Sequence, residues 1–224
     1  MSMQSMTDRK AEGIAVFDFD GTLCPGDSIV PYLRFCIAQG LAPYSQWLRA
    51  GYGYMYQHLR QGTVTIAKEW TLSFLKGKTK EDVERIGSEF LETCIIPRVY
   101  QDGIREMEDC RQNGRQVWIV SASPSCYMEM ISRYLPVDVV LSTPCEYRNV
   151  YTGHILYNLR DEEKVRRIRE AQLVRGLDDC PILEAFGDSI HDIPMLRMAR
   201  YPHWVHPKEK ARQELPEADV CLWK

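Results

Sequence analysis

From Pro97 onward, apolar segments typical of strands alternate with segments typical of amphipathic helices, and this alternation restricts the fold more than any other feature. Because alternating strands and helices build a parallel sheet with helices on both faces, the sequence predicts a Rossmann-like α/β core. Another strand is predicted near the N-terminus, at 14–19. The later predicted strands are 116–120, 137–141, 182–186, 203–206 and 219–222, the last two as edge strands, and the helices are 98–113, 125–135, 161–173 and 193–199.

Residues 27–97 interrupt the alternation directly after the first predicted strand. Apolar residues recur there at helical spacing, and no segment is typical of a strand. We therefore predict three or four helices that form an all-helical cap domain inserted into the α/β core. The core domain then comprises residues 1–26 and 98–224, and the cap comprises residues 27–97.

Composition excludes several classes of protein. The formal net charge is -3 with 26% charged residues, so no basic excess favours binding to nucleic acid. No apolar stretch is long enough for stable membrane insertion. The eight cysteines form no C-x-x-C pair, which disfavours a zinc site. Since residues 1–13 lack the apolar segment of a signal peptide, we expect a cytoplasmic protein with free thiols. The oligomeric state stays open.

Acidic residues follow the first predicted strand, in the segment Asp18-Phe19-Asp20-Gly21-Thr22-Leu23. Two carboxylates at positions i and i+2 of an extended segment point to the same side. Their mutual repulsion is relieved by a divalent cation, so the pair suggests a metal site. Gly21 allows a sharp turn and can present its backbone N–H to an anion.

Polar residues also follow other predicted strands, at the edge where ligands bind in open parallel sheets. Ser121-Ala122-Ser123 follows the second strand, with hydroxyl and N–H groups that suit a phosphate oxygen. Asp188 directly follows the strand at 182–186, and Asp192 lies one helical turn later. Lys164 lies in a charged helix, where spacing alone does not choose it over Arg166 as the cation of the site.

Together these segments resemble the haloacid-dehalogenase-like superfamily of phosphatases. The motifs D-x-D-G-T-L at Asp18 and G-D-x-x-x-D at Gly187 match in full, and Ser121 and Lys164 match the weaker middle motifs in the expected order. A helical insert between the first two motifs resembles the phosphoserine-phosphatase-like subgroup, in which the insert covers the active site.

The resemblance implies a Mg²⁺-dependent phosphomonoesterase that passes through an aspartyl-phosphate intermediate. Asp18 would be the nucleophile and a metal ligand. Asp20 would be the general acid and base, and its backbone carbonyl would bind the metal. Asp188 would complete the ligands from the protein, with Asp192 supporting the metal indirectly.

The same resemblance assigns the phosphate site. Ser121 and Lys164 would hold the phosphate, helped by the backbone N–H groups of Gly21 and Ala122. Thr22 would belong to this site and brace the carboxyl group of Asp20. The partner would be a small phosphorylated substrate.

Two positions depart from the phosphoserine phosphatases, which have Glu nine residues after the nucleophile and Asn before the last Asp of the final motif. This chain has Asp27 and His191 there, which makes both residues candidates for substrate specificity and leaves phosphoserine in doubt. The predicted substrate is therefore a phosphoserine-like or other amino-acid or alcohol phosphate.

Three alternatives stay open: a phosphotransferase, a phospholipid head-group phosphatase such as a phosphatidylglycerophosphate phosphatase, and a non-catalytic binding module. The cap also contains many aromatic residues. These can form its core, or some tyrosines can line a pocket for an apolar leaving group. They are Tyr32, Phe35, Tyr44, Trp47, Tyr52, Tyr54, Tyr56, Trp70 and Phe74.

Overall fold

The computed structural model describes residues 11–60 and 64–224, so the predicted ranges 1–26 and 27–97 extend partly outside the described residues. Within the described part, six parallel strands form one sheet and two further strands form an antiparallel hairpin. The strands are β1 Gly13–Phe17, β2 Arg115–Pro124, β3 Val139–Thr143, β4 Cys145–Tyr147, β5 Tyr151–Ile155, β6 Ile182–Gly187, β7 Tyr201–Val205 and β8 Asp219–Cys221.

Helices cover the sheet and fill the segment between β1 and β2. Short 3₁₀ turns occur at 73–75, 96–98, 129–133 and 190–192, and a π-helical turn occurs at 91–95. The α-helices are α1 Ile29–Ala38, α2 Gln46–Arg60, α3 Val64–Leu72, α4 Lys80–Phe90, α5 Gln101–Gln112, α6 Ser125–Met128, α7 Glu162–Val174, α8 Ile193–Leu196 and α9 Glu209–Glu214.

The sheet has the strand order β3-β2-β1-β6-β7-β8, with β1 between β2 and β6. Every residue of β1 is buried, as expected for a central parallel strand. Because side chains alternate across a strand, Ala15 and Phe17 join the core on one face, whereas Ile14 and Val16 join the core on the other. These features confirm the predicted α/β fold with an inserted helical cap; the exact cap boundaries stay a prediction.

Some predicted elements differ from those in the structure. The segment predicted as an edge strand at 203–206 is part of β7, which is an inner strand because β8 pairs with it through Trp204. The helix predicted at 125–135 is only one α-helical turn followed by a 3₁₀ turn. Helix α9 has no counterpart in the prediction, since its six residues are too short for a clear apolar period.

Helix α4 and the hairpin join the cap to the core. A Cβ at Gly87 would lie 2.3 Å from the carbonyl oxygen of Cys126, so glycine allows α4 to pack directly on α6. On the other side, the backbone of Tyr151 in β5 exchanges hydrogen bonds of 2.9 Å with Gly77 and Lys78. The cap is therefore held over the carboxyl ends of the strands by both contacts.

Among the described residues, no helix combines the length and apolarity needed to cross a bilayer. All eight cysteines lie in the described ranges, and none of them forms a disulfide there.

Candidate active site

A cavity of about 590 Å³ lies at the carboxyl ends of the parallel strands. Asp18 follows β1, Asp188 follows the neighbouring β6, and Ser121 belongs to the last part of β2. All three residues line the cavity, as do Lys164 and Asp192. The fold therefore brings together residues that are up to 174 positions apart in the sequence, counted from Asp18 to Asp192.

Lys164 bridges two carboxylates at the floor of the cavity. Its ammonium donates to Asp18 Oδ1 at 2.6 Å and to Asp192 Oδ1 at 2.7 Å. The side chain of Lys164 is only 2% exposed, so the charge is compensated by these partners rather than by water. The two carboxylates raise the pKa of Lys164 despite its burial, which keeps the group cationic at neutral pH. This contact distinguishes Lys164 from Arg166, which pairs with Glu163 on the surface.

Asp18, Asp188 and Asp192 form a carboxylate cluster that could hold a metal ion. One oxygen from each lies within 4.8 Å of the others. Burial, with repulsion from Asp192, raises the pKa of Asp18 well above its usual range and raises that of Asp188 to about 7. Burial also disfavours the charged form of Asp192, but Lys164 and Ser189 outweigh it and lower the pKa of Asp192. A cation at the cluster would favour the charged forms of Asp18 and Asp188.

Asp192 differs from its neighbours because both of its oxygens already have partners. Oδ1 accepts from Lys164, and Oδ2 accepts from the Ser189 backbone N–H at 3.0 Å and the Ser189 hydroxyl at 2.8 Å. Asp18 and Asp188 are therefore the more available ligands, which agrees with a supporting position for Asp192.

Two glycines make room for this cluster. Gly21 has a φ of 84°, in the left-handed region, and a Cβ there would lie 2.4 Å from Asp188 Oδ2. A Cβ at Gly187 would lie 2.6 Å from the Cβ of Asp192. Any other residue at either position would displace a carboxylate.

Hydroxyl groups surround Asp20, whose carboxylate is separate from the cluster. Its Oδ2 accepts hydrogen bonds from Ser28 at 3.0 Å and from Ser123, and the hydroxyl of Tyr127 lies 2.9 Å from that of Ser28. Burial raises the pKa of Asp20 to about 6, aided by Asp27 and opposed by the two serine hydrogen bonds. Its other oxygen is buried without a partner in the described residues. A carboxyl group with this pKa can hold or release a proton near neutral pH.

The predicted brace from Thr22 to Asp20 is wrong. Thr22 is fully buried, and its hydroxyl has no partner among the described residues. The hydroxyls of Ser28 and Ser123 donate the hydrogen bonds that the Asp20 carboxylate accepts. Sequence reasoning missed Ser28 because it lies in the cap segment. It noted Ser123 only as part of the strand end.

Four of the five residues predicted for the phosphate site line the cavity. The hydroxyl of Ser121 accepts from the Ser123 backbone N–H at 3.0 Å, which fixes the turn that Ala122 occupies. The carbonyl of Ala122 accepts from Thr143 at 2.6 Å. Ser121, Ala122, Gly21 and Lys164 border one region of the cavity, but Thr22 is not among its lining residues.

Both specificity candidates also lie at the cavity. Asp27 is exposed, and its Oδ1 accepts from the Ile29 backbone N–H at 2.8 Å. His191 lies between Asp161, 2.7 Å from Nδ1, and the guanidinium of Arg160, which contacts Nε2. His191 is therefore held by neighbouring charged groups.

The cap contributes a lysine that the sequence motifs did not reveal. Lys68 in α3 donates to the Ala122 carbonyl at 2.5 Å and also contacts Asn158 Oδ1. Burial lowers the pKa of Lys68 to about 8, although Asp20 and Asp27 oppose the shift. Only a weak feature of the sequence points to Lys68 as a site residue. No acidic residue lies three or four positions away, so Lys68 has no ion-pair partner on its own helix.

None of the cap aromatics proposed as pocket residues lines this cavity; the aromatic ring described there is that of Tyr100, outside the cap. Tyr32 and Phe35 instead pack against Phe90 in the core. Packing therefore accounts for these two rings.

The fold and the carboxylate cluster define a hydrolase of the haloacid dehalogenase type. The model of the haloacid dehalogenase-like hydrolase family matches residues 15–197, and the chain belongs to this family. The resemblance predicted from the motifs is thereby confirmed.

Known relatives agree with this assignment. The chain is 26% identical over 209 residues to phosphoserine phosphatase SerB1 of Mycobacterium tuberculosis, covering 88% of this chain and 66% of that protein. The chain thus spans slightly less than two thirds of that relative. A Bordetella pertussis protein of unknown function has a similar structure, with a TM-score of 0.85, 24% identity and coverage of 95% and 99%. A phosphoserine phosphatase structure with a phospho-aspartyl intermediate analogue gives a TM-score of 0.62, 19% identity and coverage of 96% and 95%.

Proposed function

We propose that this protein is a Mg²⁺-dependent phosphomonoesterase that acts on a small phosphorylated substrate through an aspartyl phosphate at Asp18. The observation that carries the proposal is the contact of Lys164 with Asp18 beside Asp188, at the floor of a cavity. A carboxylate next to compensating cations can accept the approach of an anionic phosphate. Family membership and the similarity to phosphoserine phosphatases support the same chemistry.

In the first half-reaction, an oxygen of Asp18 attacks phosphorus, and the bond from phosphorus to the leaving oxygen breaks. Asp20 donates its proton to that oxygen, so the product leaves as an alcohol. A pKa of about 6 makes the protonated form of Asp20 accessible near neutral pH.

In the second half-reaction, water attacks phosphorus and gives its proton to Asp20. The bond from phosphorus to Asp18 breaks, inorganic phosphate leaves, and both aspartates regain their starting states. Asp20 serves both steps because the first step leaves it deprotonated. Lys164 keeps Asp18 positioned and balances negative charge throughout.

Magnesium fits the cluster because carboxylate oxygens are the ligands that this hard cation prefers. Asp18 and Asp188, with the backbone carbonyl of Asp20, would hold it, and Asp192 would orient Lys164 beside it. When bound, the ion supplies charge stabilisation for the transferring phosphoryl group.

The test is phosphate release from an aryl phosphate, measured with and without Mg²⁺ and without an added acceptor alcohol. We expect Asp18→Asn to abolish turnover while its circular dichroism matches the unmodified protein, and Asp178→Asn, in the exposed loop between α7 and β6, serves as the control. Turnover by Asp18→Asn would refute the nucleophile. Release that requires an added alcohol would instead indicate a phosphotransferase.

The cavity also supports a substrate whose leaving group has an anionic group of its own. Lys68 and Arg160 line the cavity beyond the phosphate residues, and Lys68 keeps substantial positive charge at neutral pH. Since both of its present partners are neutral oxygens, a carboxylate or a second phosphate would bind Lys68 more strongly.

Phosphoserine and phosphoethanolamine form a matched pair, because they differ by one carboxylate. We expect kcat/KM to favour phosphoserine, and Lys68→Met to reduce this preference about tenfold, as for the loss of one charge-assisted hydrogen bond. Equal activity on both substrates in the unmodified enzyme would contradict this substrate class without affecting the proposed chemistry.

A further inference from the structure

Helix α2 presents an apolar stripe to solvent, on the face opposite its buried side. Leu48, Tyr52, Met55 and Leu59 follow one another at spacings of four, three and four residues, which places them on one face. Their exposure ranges from 47% to 77%, and Tyr44, just before the helix, is 82% exposed. We call these five residues the outer stripe of α2.

The other side of α2 packs on the cap. Gly53 lies against α3, where a Cβ would be 3.2 Å from the Cβ of Trp70. Gln46 is buried and donates to the carbonyls of Trp70 at 2.6 Å and Thr71 at 3.1 Å. The outer stripe is therefore not the face that α2 buries on α3, although the ring of Tyr52 stacks on the ring of Trp70 with 5.3 Å between centroids. A surface helix usually has charged residues in this outward position.

Charge indicates what covers the stripe. No acidic residue occurs between Asp27 and Glu69, although the chain has 31 of them, and Arg34 and Arg49 of this segment are exposed. One of these, Arg49, is exposed directly beside Leu48. The segment that carries the stripe is thus rich in apolar residues and tyrosine and has no acidic residue.

We propose that the outer stripe of α2 docks the protein on the surface of an anionic phospholipid bilayer. Tyrosine and leucine side chains suit the interface between head groups and acyl chains, and cations beside them attract anionic head groups. A second copy of this chain fits less well, because a two-fold interface would bring the two copies of Arg49 near each other, and the segment 28–68 has no carboxylate to pair with them.

The test is sedimentation of the full chain with vesicles of phosphatidylcholine alone and of phosphatidylcholine mixed with phosphatidylglycerol. We expect binding to the mixed vesicles, weakened by added salt. Leu48→Ser with Leu59→Ser should lower the partition coefficient at least about tenfold, because less apolar area is buried. Arg49→Gln should lower binding to anionic vesicles about fivefold and leave binding to phosphatidylcholine unchanged.

The matched control is Leu173→Ser with Val174→Ser on α7, where exposure is 69% and 87%. This variant should bind vesicles like the unmodified protein. All variants should keep their thermal midpoint and their rate on a soluble aryl phosphate, which shows that they fold. Three results would overturn the proposal: no vesicle binding, equal loss in the α7 control, or a dimer in sedimentation velocity that Leu48→Ser with Leu59→Ser dissociates.

Discussion

Replacing Lys164 by methionine removes the cation at the floor of the site while keeping a side chain of similar length. The ammonium makes hydrogen bonds of 2.6 Å and 2.7 Å to Asp18 and Asp192, and all three groups are buried. Hydrogen bonds to charged groups contribute about 1.5–3 kcal/mol each, so the two sum to about 3–6 kcal/mol. Removing one partner of a buried ion pair costs about 3–5 kcal/mol, which agrees with this sum.

We expect the lower part of this range. The pKa of Asp18 is already raised, so Asp18 can take up a proton in the Lys164→Met variant and avoid an unpaired buried charge. A loss of about 3 kcal/mol corresponds to a fall of about 6–12 °C in the thermal midpoint for a chain of this size. The rate of phosphate release should fall below detection.

The loss should depend on pH. Lys164 lowers the pKa of Asp192, so this contribution to stability is present above the unfolded pKa of about 3.9 and is lost as pH falls through the lower folded pKa. Lys164 itself has a raised pKa, so its contribution is present below about 10.4 and is lost as pH rises through the folded pKa. The part of the difference that comes from the Asp192–Lys164 pair is therefore largest from about pH 5 to 10 and shrinks below about pH 4.

Urea unfolding at pH 7.5 with a chelator present, and again near pH 3, measures this difference without metal. The control is Lys80→Met. The Lys80 side chain is 56% exposed and its ammonium lies 3.7 Å from Glu84, so the change should cost no more than about 0.5 kcal/mol. If Lys164→Met costs no more than this control, the ion triad does not stabilise the fold. If its cost is equal at both pH values, the cause is packing and not charge.

Asp20→Asn should slow hydrolysis of alkyl phosphates more than that of p-nitrophenyl phosphate, whose leaving group needs no proton; equal slowing would contradict the acid role. Gly21→Ala should abolish activity and weaken Mg²⁺ binding in calorimetry, because its Cβ would lie 2.4 Å from Asp188 Oδ2. Gly26→Ala is the matched control, with a φ of 77° and no atom within 4 Å of the added Cβ, so it should lose stability but keep Mg²⁺ affinity. If both variants lose Mg²⁺ affinity equally, the cause is backbone strain and not the contact with Asp188.

The juxtaposition of Asp18, Lys164 and Asp188 could be predicted because each residue has a fixed relation to a strand or helix. Parallel strands bring their carboxyl ends to one edge, so residues directly after β1 and β6 must meet. Spacing alone did not distinguish Lys164 from Arg166 as the cation of the site, and the resemblance to the family motifs indicated Lys164. The structure gives the physical reason: only Lys164 is buried against both carboxylates.

The contacts of Lys68, Arg160 and Asn158 could not be predicted in the same way. Lys68 reaches the cavity because α3 of the cap packs over β5, and no sequence period encodes the docking of one domain on another. Arg160 and Asn158 lie in the loop before α7, where no regular element fixes their direction. The roles of these residues in selecting a substrate are therefore the part that experiment must supply.

The two aspartates of the first motif illustrate how one short segment produces two chemical roles. Asp18 is held by an ammonium ion beside two other carboxylates, whereas Asp20 is held by the hydroxyls of Ser28 and Ser123. In the proposed reaction, the fixed cation would let Asp18 act as an anion toward phosphorus when a metal ion is bound. Neutral hydroxyls can donate to or accept from Asp20, so they tolerate its protonated and its ionised form. Because Ser28 belongs to the start of the predicted cap, the proposed proton transfer at Asp20 would depend on a contact that the cap provides.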